Sequence, residues 1–340
     1  MHNLKGLEKL NSKFYTMQET VVDIEVKTSD ADDAMEEAQT VSTEIAEDLD
    51  TVEGASDEIE TLRLYQKHLK EYPLTKASYS LINLNNSLSK YSSQLVAVES
   101  FNASITNDMV STGIEGIVNN VVEKIKSIVK GIVAKFKSLM DKVKLLIGDW
   151  EGALEAAGRL IQTIPDTPSA ETNSVTVNGV DFKQCDQVIS GIELVNSKIK
   201  NIGDIVTFKD NDITIKSIYN ILDKQTLATV GFDKSNYPAE TKIDVAKFTK
   251  QELSSMCDKL IKSCQNVDKI DNLIWNTMVN IPSVLDALNT PGIIDRVFNT
   301  ASNQLHRSLN DMLSLVSSIV ASLVTCNKSF IRIVKARAKA

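Results

Sequence analysis

The feature that most constrains this fold is an apolar rhythm that runs without a break from Gly116 to Ile147. Apolar side chains recur there three and four positions apart, and no proline interrupts them. This spacing gathers them on one face of an α-helix about 45 Å long. Lysines occupy the other positions: Lys124, Lys126, Lys130, Lys135, Lys137, Lys142 and Lys144. The stretch therefore predicts a basic amphipathic helix.

The N-terminal segment has a similar spacing. Its apolar residues alternate three and four apart, which predicts a seam of coiled-coil or helical-hairpin type whose middle is lined by alanine. The members are Leu7, Leu10, Phe14, Met17, Val21, Ile24, Ala31, Ala34, Ala38, Val41, Ile45, Leu49 and Val52. Gly54 and Pro73 are predicted to interrupt the helix.

Two further helices are expected in the C-terminal half. Thr249 and Glu252 have the spacing of a capping box, so one helix should start there and end before Pro282. A last helix should start just after Pro291-Gly292 and end in a basic tail. Its apolar residues are Leu309, Met312, Val316, Ile319, Leu323, Cys326, Phe330 and Ile333.

Two short segments predict strands. Ser174 to Phe182 alternates in polarity around Asn178-Gly179, which indicates a β-hairpin. Ile205 to Ile215 is predicted to form a second small hairpin. With aromatics at 5% and only 6 Pro and 13 Gly, long helices fit better than a β-sandwich. The expected fold is mainly α, with long coiled-coil-like helices and a helical C-terminal domain carrying one or two small β-hairpins.

Charge is separated along the chain. Residues 1–115 hold 9 Lys and Arg against 21 Asp and Glu, a net charge of −12, whereas residues 116–147 hold 7 against 2, a net charge of +5. Charge in blocks indicates segments with different roles. We therefore divide the chain into an acidic helical leader (1–115, a candidate propeptide), a basic amphipathic helix (116–150) and a mostly helical domain with a small β insertion (151–340).

No catalytic or metal-binding pattern is visible. The three histidines, His2, His68 and His306, lie far apart in the sequence, and none of the common nucleophile, zinc or phosphate-loop motifs is present. We expect no enzyme activity, no cofactor and no metal. The four cysteines lack metal-ligand spacing and are expected to be free, reduced thiols. We also expect no signal peptide and no membrane span.

The basic helix has three interpretations, which the residues leave open. It could be a core helix whose lysines face water. It could bind an anionic surface, either DNA or the acidic N-terminal arm of the same chain. It could also lie on a membrane surface, because lysines flanking a wide apolar stripe suit an interfacial helix. For the second interpretation the seven lysines are the candidate anion contacts.

The order of the segments resembles a known family. Asp-Thr-Val-Glu-Gly-Ala at 50–55 is followed by Val-Ala-Val-Glu-Ser-Phe at 96–101, then by the lysine-rich helix from Gly113, and then by Ser-Val-Thr-Val-Asn-Gly at 174–179. This order resembles the prohead-core or inner-body proteins, the internal head proteins, of large tailed bacteriophages (myoviruses). The resemblance implies a structural virion protein that fills the immature capsid and is packaged with the genome.

The resemblance also implies proteolytic maturation. Prohead proteases cut after Glu in a small-residue-x-Glu context, and two segments fit: Ala97-Val98-Glu99 before Ser100, and Gly113-Ile114-Glu115 before Gly116. Three other positions match equally well: Ala34-Met35-Glu36, Ser42-Thr43-Glu44 and Ser169-Ala170-Glu171. Removal of the leader is expected to uncover the basic helix.

The partners that follow from the resemblance are other capsid and core proteins, the prohead protease and, non-specifically, packaged DNA. The expected location is the virion interior, with the host cytoplasm during assembly. The long helices also suit homo-oligomerisation. Two alternatives stay open: a membrane-active helical protein of pore-forming type, and a coiled-coil scaffold or adaptor.

Overall fold

The computed structural model describes residues 2–88, 105–166, 174–177, 181–199, 206–209, 212–215, 241–278, 281 and 294–339. Side chains are described within these ranges from residue 18 onward, except at 85–88, 206–209, 212–215, 271, 273, 276–278 and 294–303. The helices are α1 (His2–Glu71), α2 (Lys76–Leu88), α3 (Asn107–Thr163), α4 (Phe182–Ile199), α5 (Lys250–Met278) and α6 (Ile294–Lys339). The strands are β1 (Ser174–Val177), β2 (Val206–Lys209), β3 (Asp212–Ile215) and β4 (Thr241–Asp244). The prediction of a mainly α fold is confirmed.

Helices α1 and α3 form an antiparallel pair. Glu37 near the middle of α1 contacts Lys142 of α3, and Arg63 near the end of α1 contacts Glu115 near the start of α3. Helix α6 also runs antiparallel to α1, because Glu25 pairs with Lys335 and Glu53 lies near His306. The three long helices therefore share one elongated core.

The α1 seam has a seven-residue period. The side chains at that spacing are buried: Ile24, Ala31, Ala38, Ile45, Val52, Ile59 and Gln66. A strict seven-residue repeat keeps one face of a helix against its neighbours along its whole length, as in coiled coils. The predicted coiled-coil or hairpin seam is therefore confirmed from residue 24 onward, while the side chains of Leu7, Leu10, Phe14 and Met17 lie outside the described ones.

Helix α3 is longer than the sequence predicts. It extends from Asn107 to Thr163, about 85 Å at the standard rise, and Thr106 caps its start by accepting a hydrogen bond from the Met109 amide. Both predicted segment boundaries, 115/116 and 150/151, fall inside this helix. The buried face continues past Ile147 through Trp150, Leu154 and Leu160. The division into three functional segments stays a prediction.

The predicted interruption at Gly54 is wrong, because α1 continues through it to Glu71. Gly54 is exposed, whereas its neighbours Val52 and Ala55 are buried. The packing of those neighbours outweighs the roughly 1 kcal/mol by which glycine disfavours a helix. The interruption predicted at Pro73 is confirmed, since α1 ends two residues before it.

Helices α4 and α5 pack against one end of this core. They run parallel to each other, because Asp186 pairs with Lys259 and Glu193 with Lys262. Helix α5 runs antiparallel to α3, as the contacts from Cys257 to the Leu154 carbonyl, Gln265 to Glu151 and Lys144 to Asp268 indicate. The C-terminal half is thus built onto α3 and α6 rather than separate from them.

The predicted helix starts in this half are confirmed. The Thr249 amide donates to the Glu252 carboxylate at 2.8 Å, and the Glu252 amide donates to the Thr249 hydroxyl at 3.2 Å. This is the reciprocal pair of a capping box. Helix α6 begins at Ile294, just beyond Pro291-Gly292.

One predicted hairpin is confirmed and the other is wrong. Strands β2 and β3 pair antiparallel with Lys209 opposite Asp212. The segment that starts at Ser174 instead pairs with Thr241–Asp244. Its second half begins α4, because Asp181 and Gln184 cap the helix reciprocally at 2.8 and 2.9 Å. Asn178-Gly179 lies outside the described residues.

Candidate functional site: the charged faces of α1 and α3

Apolar burial positions the charged residues of the α1–α3 pair. Val121, Ile125, Ile132 and Phe136 of α3 are fully or almost fully buried. Burying one such side chain contributes about 1.5–3 kcal/mol, whereas an exposed ion pair contributes about 0–1 kcal/mol. The apolar seam therefore holds α1 against α3, and the ion pairs beside it fix which charges meet.

Lys135 and Lys142 are candidate lysines that pair with acids of the leader. Lys135 Nζ lies 2.9 Å from Asp48 Oδ2 and 3.5 Å from Glu44 Oε2. The hydrogen bond from Lys135 to Asp48 is the main reason that the lysine pKa is raised, although burial opposes it. Lys142 contacts Glu37. For these two, the anionic surface is the N-terminal arm of the same chain.

Two other lysines pair elsewhere. Lys126 is 3% exposed, and its ammonium group donates to Glu123 of the same helix at 2.9 Å. It is the one candidate lysine that the structure buries. Lys144 lies 3.8 Å from Asp268 of α5, but its side chain is 67% exposed. Neither lysine contacts the leader through these pairs.

Four lysines form a solvent-facing row on α3, which we call the lysine stripe: Lys124, Lys130, Lys137 and Lys144. The seven-residue spacings place Lys130, Lys137 and Lys144 on one side of the helix, whereas Lys124 lies about 120° around it. Together the four lysines extend about 30 Å along the helix axis. All four are exposed while α1 is in place. These four side chains therefore reach solvent without removal of the leader, and the effect of removing it on the rest of the helix stays a prediction.

The leader acids also pair with α6. Lys328 lies 2.6 Å from Asp32, and Lys335 lies 3.2 Å from Glu25. Both cations belong to the C-terminal helix, which the charge blocks of the sequence did not connect with the leader. Acids on α1 are thus neutralised from two sides, by α3 and by α6.

The candidate processing segment Gly113-Ile114-Glu115-Gly116 lies inside α3. Ile114 is fully buried. Glu115 receives two hydrogen bonds from the Arg63 guanidinium, at 2.5 and 3.3 Å, and one from the Gln66 amide at 3.0 Å. Cleavage after Glu115 would require this helical turn to unwind, because a protease binds its substrate in an extended form.

The charge of Glu115 is stabilised within this cluster. Burial alone would raise the pKa of its carboxyl group, and the hydrogen bonds from Arg63 and Gln66 oppose that effect. The positive charges of Arg63 and Lys70 act in the same direction, so the pKa lies below its ordinary value. The fold therefore favours an ionised Glu115 bound to α1.

The other candidate processing segment, Ala97-Val98-Glu99-Ser100, lies outside the described residues. It belongs to the connection between α2, which ends at Leu88, and α3, which begins at Asn107. Cleavage there would leave both long helices uncut. Cleavage after Glu115 would thus require part of α3 to unwind, whereas cleavage after Glu99 would not.

A cleft of about 380 Å³ opens where the α1 seam is lined by small residues. Ala38 of α1, Val143 of α3 and Val320 of α6 contribute to its wall, together with the hydroxyl groups of Ser42 and Ser317. Its described lining contains no acid, base or cysteine. The cleft offers space for an apolar group and no acid–base pair.

The four cysteines are buried and free. Burial raises the pKa of the Cys257 and Cys264 thiols to about 12, so both stay protonated near neutral pH. The Cys257 thiol donates instead to the Leu154 carbonyl at 3.2 Å. The prediction that these residues act as small apolar side chains of the core fits this geometry.

Comparisons of the chain with protein-family models, with curated proteins and with solved structures found no significant match. Among the described residues, the stretch Gln304–Lys339 is long and apolar enough to cross a membrane, and 67% of its most apolar window is buried inside the bundle.

Sequence reasoning missed two groups of residues. Arg63 and Gln66, which hold Glu115, are one helical turn apart on α1, and their spacing could have suggested a shared polar face. Asp50 and Glu53 of α1 meet His306 of α6, and no spacing in the sequence connects residues so far apart. Only the antiparallel register of α1 and α6 brings them together.

Proposed function

We propose that this chain is a structural, non-enzymatic protein of a bacteriophage capsid interior, made in the host cytoplasm and packaged with the genome. The order of its segments, which resembles internal head proteins of myoviruses, supports this class. The observation that carries the proposed contact with DNA is the lysine stripe, a row of exposed cations on a rigid helix.

The stripe suits a non-specific contact with phosphate. Successive lysines are about 10 Å apart along α3, so a backbone that follows the helix can meet several of them. The seven candidate lysines lie in a stretch without arginine, and its one aromatic residue, Phe136, is buried. That composition disfavours base readout and stacking. Because the whole chain has a net charge of −8, the contact should be weak and sensitive to salt.

Proteolytic maturation is proposed at Glu99–Ser100 rather than at Glu115–Gly116. The first peptide bond lies between α2 and α3, whereas the second lies in a helical turn that Arg63 and Gln66 hold. A cut after Glu99 is compatible with an intact α1–α3 pair. The acidic leader would then stay bound through its apolar seam until another event displaces it.

Mass spectrometry of purified particles tests the class and the maturation together. The expected result is this protein inside the particle with a new N-terminus at Ser100. A mature N-terminus at Gly116 would contradict the choice of cleavage site, and an intact N-terminus would exclude maturation. Absence from particles would exclude the proposed class.

Binding of the purified chain to duplex DNA tests the stripe separately. Reversing the four stripe lysines to glutamate should weaken binding at low salt. Because each phosphate contact contributes about 0.9 to the log–log salt slope, the slope should fall by about 3–4. The matched control reverses four exposed lysines elsewhere: Lys67, Lys76, Lys247 and Lys262. Equal losses in both variants would show that net charge alone matters and would contradict a contact at the stripe.

The two alternatives predict other results. A membrane-active protein would have to expose the α3 apolar stripe, which is buried against its neighbours, so it predicts release of dye from anionic vesicles only when the bundle opens. A scaffold or adaptor predicts stable oligomers that light scattering can detect, together with absence from particles.

A further inference from the structure

Three residues with metal-binding side chains converge where α1 lies against α6. Asp50 and Glu53 come from α1 and His306 from α6, and one donor atom from each lies within 4.8 Å of the other two. The imidazole Nε2 of His306 lies 3.9 Å from Glu53 Oε2. An i, i+3 spacing places the two carboxylates on the same face of α1.

His306 is the least exposed of these three residues. Its side chain is 12% exposed, and 3.9 Å is too long for a hydrogen bond. Among the described residues, no other group forms a hydrogen bond with it. The His306 side chain is thus mostly buried, while the two carboxylates near it belong to exposed residues.

We propose that Asp50, Glu53 and His306 form a binding site for a divalent transition-metal ion of the zinc class, which links α1 to α6. One imidazole nitrogen and two carboxylate oxygens are a donor set that Zn²⁺ accepts, with water completing a tetrahedron. Mg²⁺ and Ca²⁺ prefer oxygen donors alone, so the histidine selects against them.

The three side chains can reach this geometry with small movements. Metal–ligand bonds of about 2.0–2.2 Å in a tetrahedron place the donor atoms about 3.4 Å apart. The donors lie within 4.8 Å of one another here, so no pair must close by more than about 1.4 Å. Asp50 and Glu53 are exposed and can rotate without disturbing the core, while His306 supplies the fixed donor.

A bound ion would join α1 to α6 in addition to the apolar seam and the ion pairs. Because the folded chain presents the three donors together, binding should raise the stability of the folded state by mass action. This consequence holds whether or not the chain belongs to a capsid.

Calorimetric titration of the full-length, chelator-treated protein with ZnCl₂ tests the site. We expect one bound equivalent and a rise in the midpoint of thermal unfolding. His306→Leu keeps the apolar volume but removes the donor, and Glu53→Gln removes a carboxylate. Each should weaken binding by more than about tenfold, since losing even an outer-shell partner has an effect of that size.

Matched controls separate the site from general effects. His68→Leu removes an exposed histidine that stacks on Tyr72, and Glu25→Gln removes a carboxylate that pairs with Lys335 on the same α1–α6 face. Both variants should bind Zn²⁺ as the original chain does. Circular dichroism checks that each variant is folded. If a ligand variant does not fold, Asp50→Asn takes its place, because Asp50 is exposed.

Several results would overturn the proposal. Equal affinity in His306→Leu and the original chain would exclude the imidazole, and loss in His68→Leu would place binding elsewhere. Equal stabilisation by MgCl₂ would indicate a site made of carboxylates alone. Replacement by Co²⁺ with a thiolate charge-transfer band would assign the ion to the cysteines. Failure of the original chain to bind Zn²⁺ would contradict the proposed site.

Discussion

Asn107 joins the end of α1 to the start of α3. Its amide nitrogen donates to the carbonyls of Leu69 at 2.6 Å and Tyr72 at 2.8 Å, and its side-chain oxygen accepts from the Leu74 amide at 2.8 Å. Carbonyls at the end of a helix lack partners within it. One side chain thus satisfies groups on either side of Pro73 and fixes where the second long helix begins.

Replacing Asn107 with alanine should therefore destabilise the chain. Losing hydrogen bonds to partly buried backbone groups typically lowers the free energy of unfolding by about 1–3 kcal/mol. Urea denaturation followed by circular dichroism measures the change. Asn119→Ala, at an exposed position of α3, is the control and should stay within about 0.5 kcal/mol. Similar effects from both substitutions would contradict a special role for Asn107.

The lowered pKa of Glu115 predicts how the stability of the chain depends on pH. Its pKa in the folded chain is below the ordinary value of 4.5. Its contribution is therefore complete above the unfolded-state pKa and is lost as the pH falls through the folded-state value. Thermal unfolding should show a smaller loss of stability below about pH 4.5 in Glu115→Gln than in the original chain. Parallel pH profiles for the two proteins would contradict the arrangement around Arg63.

At the scale of elements, local signals predicted most of the helices. The capping pair Thr249 and Glu252 and the apolar period of α3 depend on neighbours in sequence, so they could be identified without a structure. The hairpin at Ser174 could not be placed correctly, because its strand pairs with a partner more than sixty residues later. The three-residue spacing of Asp181 and Gln184, which cap the start of α4, could have predicted that helix from the sequence.

Replacing glycines of α3 with alanine tests whether packing alone stabilises this long helix. A Cβ added at Gly131 or Gly148 meets no atom within 4 Å, and alanine has a higher helix propensity than glycine. Each Gly→Ala change should raise the free energy of unfolding by about 0.5–1 kcal/mol. Ala134→Gly, an exposed position on the same helix, should lower it by a similar amount. Destabilisation by either Gly→Ala change would show that these positions need glycine.

At the scale of the whole molecule, the charge blocks of the sequence left contact between the acidic and basic segments as one of several open interpretations. They could not show that α6 shares the leader's acids through Lys328 and Lys335, or that four lysines stay on the surface. Those facts depend on the register between distant helices, which the apolar seam sets. The seam also makes the leader a part of the core rather than a cover over it.

Because the leader is part of the apolar core, it should stay bound when the chain is cut between α2 and α3. With a site-specific protease sequence inserted after Glu99, the two fragments should elute together in gel filtration after cleavage. They should also stay together in about 1 M salt, where ion pairs are screened within about 3 Å but apolar burial persists. The reason is that Ile45 and its heptad neighbours remain buried against α3 and α6.

A variant at the seam separates the two contributions. Ile45→Asp places a charge at a fully buried position and should make the fragments dissociate after cleavage, because a buried, unpaired carboxylate is strongly unfavourable. Glu47→Gln, two residues away on the exposed side of α1, should leave them associated. Dissociation of the unsubstituted fragments by salt alone would mean that charge, and not the seam, holds the leader. An acidic leader that salt can remove would act as an electrostatic cover, whereas one that salt cannot remove must be displaced or unfolded before α3 loses its partner.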